Sequence, residues 1–387
     1  MALIDDTRDI LCDLIAFPTV SADSNLELIA YAADHLGALG ARTSVILDET
    51  GHKANLIASL GPEEDGGIAL SGHSDVVPVA DQDWTSDPFE LREENGRLYG
   101  RGTCDMKGFI AASLAVAPLF AERPLSRPLH FIFTYDEEVG CLGARHLVDE
   151  MGRMETRPSV VIIGEPTEMR IVEGHKGCCE YTTTFTGLEG HGSMPDHGVN
   201  AVEYAVRYVA KLMELREDMK RWAPPGSRFD PPWTSLQIGR IAGGVAHNVI
   251  PGLCTVDWEM RPVRAEDRVR LRAAIDAYVN DTLLPEMRAV SPDADVFTHV
   301  IGEVVGLEPC DDNEALRIVS ELTGSNEVDV IAFGTEAGLF QELGMSAVVC
   351  GPGSVEQAHK PDEFVSLNQL ESCLAMLRGL EPRLIAE

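Results

Sequence analysis

The sequence predicts an α/β protein with a main domain interrupted by a smaller one, and the prediction rests on three stretches of pattern. Short β-rich runs alternate with helical patterns over 1–175, the order becomes βαββαβ over 176–306, and helix and strand alternate again over 307–387. Alternation of this kind marks a parallel or mixed sheet covered by helices. The βαββαβ order is the split arrangement of an open-faced sandwich.

Helical periodicity over 6–17 and 25–39 precedes strands at ARTSVILD, ANLIASL and GIALSGH. FIAASLAVAPLF follows as a helix, then PLHFIFTYDEE and PSVVIIGEP as two strands ending in acid. In the insert, YTTTFTG alternates as a half-exposed strand, NAVEYAVRYVAKLMELRED is an amphipathic helix, and TSLQIGRIAGG and LCTVDWEMR are two strands. DRVRLRAAIDAYVNDTLL is a second helix and DVFTHVI a last strand, while the Pro-rich APPGSRFDPPW is an exposed loop. The returning segment places strands at DVIAFG and SAVVCG between helices.

Composition narrows the function classes. With 31 Lys and Arg against 63 Asp and Glu, the formal net charge is −32, a field that repels nucleic acid and anionic membranes and suits cations. The N-terminal MALIDDTRDILCDLIAF lacks the basic start and unbroken apolar stretch of a secretory signal, and no apolar run reaches the roughly 20 residues of a membrane span. Nine cysteines, an odd count without a C-x-x-C pair, do not read as a disulfide framework. A soluble cytoplasmic protein is expected.

The chemistry-bearing residues stand where strands end. GIALSGH leads to His73 and Asp75, RLYGRGTCD to Asp105 before a helix, FIFTYDEE to Glu137 and Glu138, VVIIGEP to Glu165, and AVVCGPGSVEQAH to His359. In open α/β sheets ligands bind outside the carboxyl ends of the strands, so these side chains converge on one rim. Each alone has a plain explanation: a histidine after a strand is usually a satisfied loop residue, and an acidic pair is usually a solvated helix cap. Together, five carboxylates require a cation, and with two histidines they form the mixed N/O set that suits Zn²⁺ and its neighbours. A dinuclear metal site is the expectation.

Other chemistries fit less well. GHSDV and GPGSV lack the closing glycine of a serine nucleophile elbow, and GRGTCD carries Asp where a dinucleotide fingerprint has its third glycine. There is no Walker A lysine loop and no H-E-x-x-H helix. Cys104 reads as a small packed residue rather than a nucleophile.

The motifs SGHSDVVP, YGRGTCDMKG, YDEEVGCLGAR, IIGEPT, GHGSMPDHGVNA, AHNVIPG, FGTEAGLF and CGPGSVEQAHKPDEF together resemble the M20 family of co-catalytic metallohydrolases, and the last two resemble its acetylornithine deacetylase branch. The resemblance spans nearly the whole chain. It implies a zinc-hydrolase-type catalytic domain with an inserted lid and dimerisation domain. It makes His73 and Glu165 ligands of one ion, Glu138 and His359 ligands of the other, and Asp105 the bridge. Asp75 orients the His73 imidazole and Glu137 is the general base. His191 in GHGSMP resembles the lid histidine that steadies the oxyanion in the partner subunit's site. Asn248 and Arg261, assigned to the two central lid strands, grip the substrate α-carboxylate, unless Arg261 only pairs with Glu259 or Asp257.

The expected activity is deacetylation of N²-acetyl-L-ornithine to L-ornithine and acetate in arginine biosynthesis, by a homodimer carrying two divalent ions, zinc first and cobalt as the other choice. The rivals are another M20 deacylase (a succinyl-diaminopimelate desuccinylase, an aminoacylase or a dipeptidase) and, from another class, a non-catalytic acidic metal-binding protein. Thr335 and Glu336 of FGTEAGLF complete the substrate-binding candidates. Glu336 is expected either to receive the substrate's side-chain ammonium or to act as a plain helix cap.

Overall fold

In the computed structural model, which describes residues 3–385, the chain opens with α1 (Leu3–Ile15) and α2 (Leu26–Ala38). Strands β1 (Arg42–Leu47), β2 (Ala54–Leu60), β3 (Ile68–His73), β4 (Arg92–Glu94) and β5 (Arg97–Tyr99) lead to α3 (Lys107–Ala121). Next come β6 (Leu129–Thr134), α4 (Leu142–Met151), β7 (Val160–Pro166), β8 (Ile171–His175), β9 (Cys178–Thr186) and the short β10 (Gly190–His191). Then follow α5 (Ala201–Arg221), β11 (Ser235–Gly243), β12 (Val249–Ile250), β13 (Leu253–Arg261), α6 (Ala265–Tyr278), α7 (Leu284–Val290) and β14 (Asp295–Val304). The last elements are α8 (Glu314–Thr323), β15 (Val328–Ile331), α9 (Ala337–Glu342), β16 (Ser346–Gly351), β17 (Phe364–Ser366), α10 (Leu367–Arg378) and α11 (Glu381–Leu384).

Two compact units result: 1–174 with 309–330 and 335–387, and His175–Glu308 with Ile331–Gly334. The short segment Ile331–Gly334 groups with the smaller unit, whereas the sequence pattern assigns it to the returning part of the larger one.

The larger unit is built on an eight-stranded sheet in the order β1-β2-β6-β3-β7-β16-β8-β15. β6, β3, β7 and β16 run parallel, so their carboxyl ends share one edge, while β1 and β2 pair antiparallel at the side. β3, β6 and β7 are buried along their whole length, as expected of strands covered on both faces. α3 is apolar around nearly its whole circumference, which is the pattern of a helix enclosed by protein. It packs against α1, α10 and β3. Its first residue, Lys107, is buried, and its ammonium donates to the carbonyls of Leu14 (3.0 Å) and Phe17 (2.7 Å) at the end of α1. Gly164 in β7 is required by this packing, since a Cβ there would stand 1.9 Å from the Phe109 ring.

In the smaller unit four antiparallel strands follow the order β11-β13-β9-β14. Along β9, Cys179, Tyr181, Thr183 and Phe185 are buried and Glu180, Thr182 and Thr184 are not, which is the period-two signature of a sheet covered on one face. The buried side packs on Tyr208 and Leu212 of α5, with Leu271 and Ile275 of α6 in the same core. Asn200 caps α5, its side-chain oxygen accepting from the N–H groups of Val202 and Glu203. The second helix of the βαββαβ pattern runs on past its predicted end through a wide turn over Val279–Leu283 into α7. None of the nine cysteines is in a disulfide. No helix among the described residues is long and apolar enough to cross a membrane.

Candidate metal centre

At the shared carboxyl edge of the parallel strands, His73 is the last residue of β3 and Glu165 stands near the end of β7. Glu137 and Glu138 follow β6 by three and four residues, and Asp105 lies in the turn before α3. His359 is in the loop after β16. The structure brings all of these together with Asp75. His73 Nε2 is 3.0 Å from Asp105 Oδ1 and 3.8 Å from Glu165 Oε1. His359 Nε2 is 3.4 Å from Asp105 Oδ2 and 3.1 Å from Glu138 Oε1. The two oxygens of Asp105 thus face two different imidazoles. Glu137 also reaches His73 and Glu165, with one donor atom from each of the three within 4.8 Å of the others, and His73, Asp105 and Glu138 form a second such trio.

Asp75 fixes this arrangement from below. It is 2 % exposed. Its carboxylate accepts from Ser21 Oγ (2.7 Å) and from the N–H groups of Glu137 (3.0 Å) and Glu138 (3.4 Å). His73 Nδ1 lies 2.9 Å from the Asp75 carbonyl and 3.5 Å from its carboxylate. One aspartate therefore orients the imidazole and pins the acidic pair. Asp136, just before the pair, is tied by the Lys53 ammonium, which also donates to the Ser21 carbonyl.

The electrostatics of the rim call for a cation. Among the described residues, the ion pairs of Asp105, Glu138 and Glu165 are made with histidine alone. Burial works against a charged His73, but Glu165, Asp105 and Asp75 outweigh it and hold its proton well above the usual range. Hydrogen bonds to Asp105 and Glu138 push His359 up to about 10. Burial opposes ionisation of Asp105, yet its hydrogen bonds to His359 and His73 hold its carboxyl below the usual range. Desolvation, with Glu138, Asp75 and Asp105 nearby, raises Glu137 to about 8 against the pull of His73, and burial raises Glu165 well above the carboxylate range. Glu165 Oε1 is buried and has no hydrogen-bond partner. An orphaned carboxylate oxygen beside an imidazole nitrogen is what a metal ligand leaves when no ion is present, so the residues fit a divalent cation.

His191, Asn248 and Arg261 belong to the smaller unit. His191 ends β10, exposed, its Nδ1 2.7 Å from Ser193 Oγ. Asn248 is in the turn before β12, not on a central strand of the sheet, because the chain leaves the sheet at Gly243 and re-enters at Leu253. β10 pairs with β12, His191 opposite Val249, and the Gly192 N–H donates to the Asn248 carbonyl at 2.8 Å. Gly192 is needed there, since a Cβ would stand 2.9 Å from the Asn248 backbone. Arg261 ends β13 and donates from Nε (3.1 Å) and Nη2 (2.8 Å) to Glu259 Oε2, the pairing that the sequence offered as its plain role.

Glu336 does not present itself as a receptor for an ammonium group. It is fully buried in the larger unit, and its two oxygens accept from Ser71 Oγ (2.6 Å) on β3 and Thr134 Oγ1 (2.7 Å) on β6. Thr335 Oγ1 accepts from the Ala337 N–H at the start of α9. Sequence reasoning overlooked Ser21, Arg101 and Glu363. The last two sit inside quoted motifs, where a charge among glycines and prolines was the one signal available.

A parallel sheet edge gathering two histidines and five carboxylates defines the class as an α/β protein with a candidate cation-binding centre. Residues 69–380 match peptidase family M20/M25/M40, and the chain belongs to that family as an M20 metallohydrolase. It is 39 % identical over 380 residues to acetylornithine deacetylase of Myxococcus xanthus, covering 96 % of this chain and 95 % of that protein. It is 35 % identical over 375 residues to acetylornithine deacetylase of Pasteurella multocida strain Pm70, covering 95 % of each. Among solved structures it resembles aminopeptidase PepT of Bacillus cereus (TM-score 0.72, 20 % identity, 97 % of both chains). It also resembles a dinuclear metal binding peptidase of the M20 family from Bacillus subtilis (TM-score 0.64, 18 % identity, 98 % and 97 % covered), and both likenesses concern the fold.

Proposed function

We propose that this chain is a cytoplasmic, homodimeric amidohydrolase that removes the acetyl group from N²-acetyl-L-ornithine, releasing L-ornithine and acetate for arginine biosynthesis. The observation that carries a two-ion chemistry is the placement of Asp105, one oxygen toward His73 and the other toward His359. His73 and Glu165 would hold one ion, Glu138 and His359 the other, and Asp105 would bridge them, with zinc preferred and cobalt accepted. When bound, such a pair supplies Lewis acidity that acidifies a water and polarises the scissile carbonyl.

The chain's own residues do the rest. Glu137 is the general base. It stands beside His73 and Glu165 without belonging to either proposed ligand set, placed to take a proton from the attacking water and return it to the leaving amine. Cys141 lies with its thiol 3.5 Å from Glu137 Oε1, directed to donate to it, and Asp75 pins the Glu137 backbone, which together restrain the base. Asp75 also holds the His73 ring with Nε2 toward Asp105, where it would serve as a ligand. His191 is assigned to the oxyanion, and Asn248 and Arg261 to the α-carboxylate of the substrate.

The choice of acetylornithine is supported by the names of relatives 34–39 % identical over almost the full chain. It is tested by a turnover panel of acetylornithine, succinyl-diaminopimelate, acetylmethionine and several dipeptides on metal-loaded enzyme. Acetylornithine should give the highest kcat/KM. Preference for the succinyl compound or a dipeptide would overturn the substrate while keeping the hydrolase, and no turnover with metal fully loaded would favour a binding protein.

A further inference from the structure

Two of the candidate ligands come from irregular segments: Asp105 from the turn between β5 and α3, and His359 from the loop between β16 and β17. His359 has φ +63°, a left-handed conformation that a non-glycine residue adopts only when its surroundings hold it there. One buried group ties the two segments together. Glu363 Oε1 accepts from the backbone N–H groups of Gly102 (3.1 Å), Cys104 (2.8 Å) and Asp105 (3.0 Å). Its other oxygen accepts from Arg101 Nη1 at 2.6 Å, and both side chains are 1 % exposed. Arg101 Nη1 also faces the Lys360 carbonyl at 3.3 Å, and its Nη2 donates to Gln82 Oε1 at 2.6 Å. Gln82 in turn donates through Nε2 to the His359 carbonyl at 2.9 Å, while Trp84 donates to Gln82 Oε1 and places its ring 5.0 Å from the Arg101 guanidinium.

A buried ion pair is a costly way to hold a loop, because both charges lose their water, and apolar packing would serve stability better. What it provides is direction, since one carboxylate gathering three N–H donors and a guanidinium allows a single backbone path. We infer that Glu363, Arg101 and Gln82 form a positioning clamp that sets the Asp105 and His359 donors relative to each other, so that the rim accepts its second ion without rearrangement. The inference rests on the two-ion reading of the site. It assigns separable effects: Gln82 donates directly to the His359 backbone and reaches the Asp105 turn only through Arg101, whereas Glu363 holds the turn of the bridging Asp105 directly.

The test titrates metal-free full-length protein with Zn²⁺ against a chromophoric chelator, and with Co²⁺ followed by visible absorption. Gln82→Glu keeps the acceptor for Arg101 and Trp84 but replaces the donor to His359 with an oxygen, at a half-buried position, and the unfolding temperature of the metal-free variant checks that it folds. The first binding step should stay within about twofold of wild type while the second weakens roughly 10- to 100-fold, the usual consequence of losing a partner behind a ligand. Glu363→Gln, which turns an amide toward Arg101 or the N–H groups, should weaken both steps. Wild-type binding of two ions with both steps unchanged in Gln82→Glu would overturn the clamp alone. Equal weakening of both steps in Gln82→Glu, with a lowered unfolding temperature of the metal-free protein, would reduce the network to a structural role and also overturn it. A wild type that binds one ion would overturn the two-ion reading and the clamp with it.

Discussion

At the carboxyl edge of the large sheet, His73, Asp75 and Glu165 are buried, and His73 and Asp75 are each held by several partners. In the smaller unit, His191 and Asn248 are exposed, and Arg261 is half-buried with a glutamate beside it. The difference is one of cost. A buried charge must be compensated from several directions, so its position is overdetermined and its removal leaves other charges unpaired. An exposed side chain keeps its water, so it is free to meet a substrate and inexpensive to remove.

The largest effect expected from this contrast is on metal. Wild-type protein reloaded with Zn²⁺ should approach two ions per chain by elemental analysis, and Asp105→Ala should lose both the second ion and detectable turnover. Next, Glu137→Gln should lower kcat by about 10²- to 10⁴-fold with metal content unchanged, whereas Glu138→Ala should lose metal. The reverse pattern would exchange the roles within the pair.

For the exposed candidates, inactive His191→Ala chains mixed with inactive Glu137→Ala chains should regain part of the activity through hybrid dimers. No recovery after proven subunit exchange would remove His191 from the partner's chemistry. Glu336→Gln should change KM for acetylornithine and for acetylmethionine by the same factor, because its oxygens serve Ser71 and Thr134. A rise confined to acetylornithine would restore Glu336 as the ammonium receptor.

The smallest effect is on stability, and it compares the two units directly. Burial pushes His130 in the larger unit and His175 in the smaller one down to about 4. Both stay neutral in the folded chain while the unfolded chain takes up their protons below about 6.5. The unfolded state binds more protons in that window, so stability falls as pH drops, by about 2 kcal/mol per histidine between pH 7 and pH 5. Urea unfolding of His130→Gln at the two pH values should show a smaller loss than wild type, and an unchanged loss would show that His130 does not carry it.

Much of the fold was legible because each element repeats its signal locally. LCTVDWEMR alternates buried Cys254, Val256, Trp258 and Met260 with less buried partners, and the observed strand has the predicted limits. α3 is apolar all round because it is enclosed. The rim residues were legible because strand ends in a parallel sheet share an edge. The bridge pair of β10 and β12, which takes Asn248 out of the central sheet, was not, since two-residue strands carry no periodicity.

By itself, then, the sequence determined the α/β architecture, the βαββαβ insert and the row of histidines and carboxylates at strand ends. Tertiary structure alone decided which of those groups compensate one another. Glu336 reads as an ammonium receptor or a plain helix cap in its own segment, and its buried place is set by Ser71 and Thr134, 265 and 202 residues away, which supply their hydroxyls. Glu363 likewise acquires its role from Arg101, 262 residues distant. Periodicity is local because backbone geometry repeats every few residues, whereas the partner of a buried charge is set by the path of the whole chain.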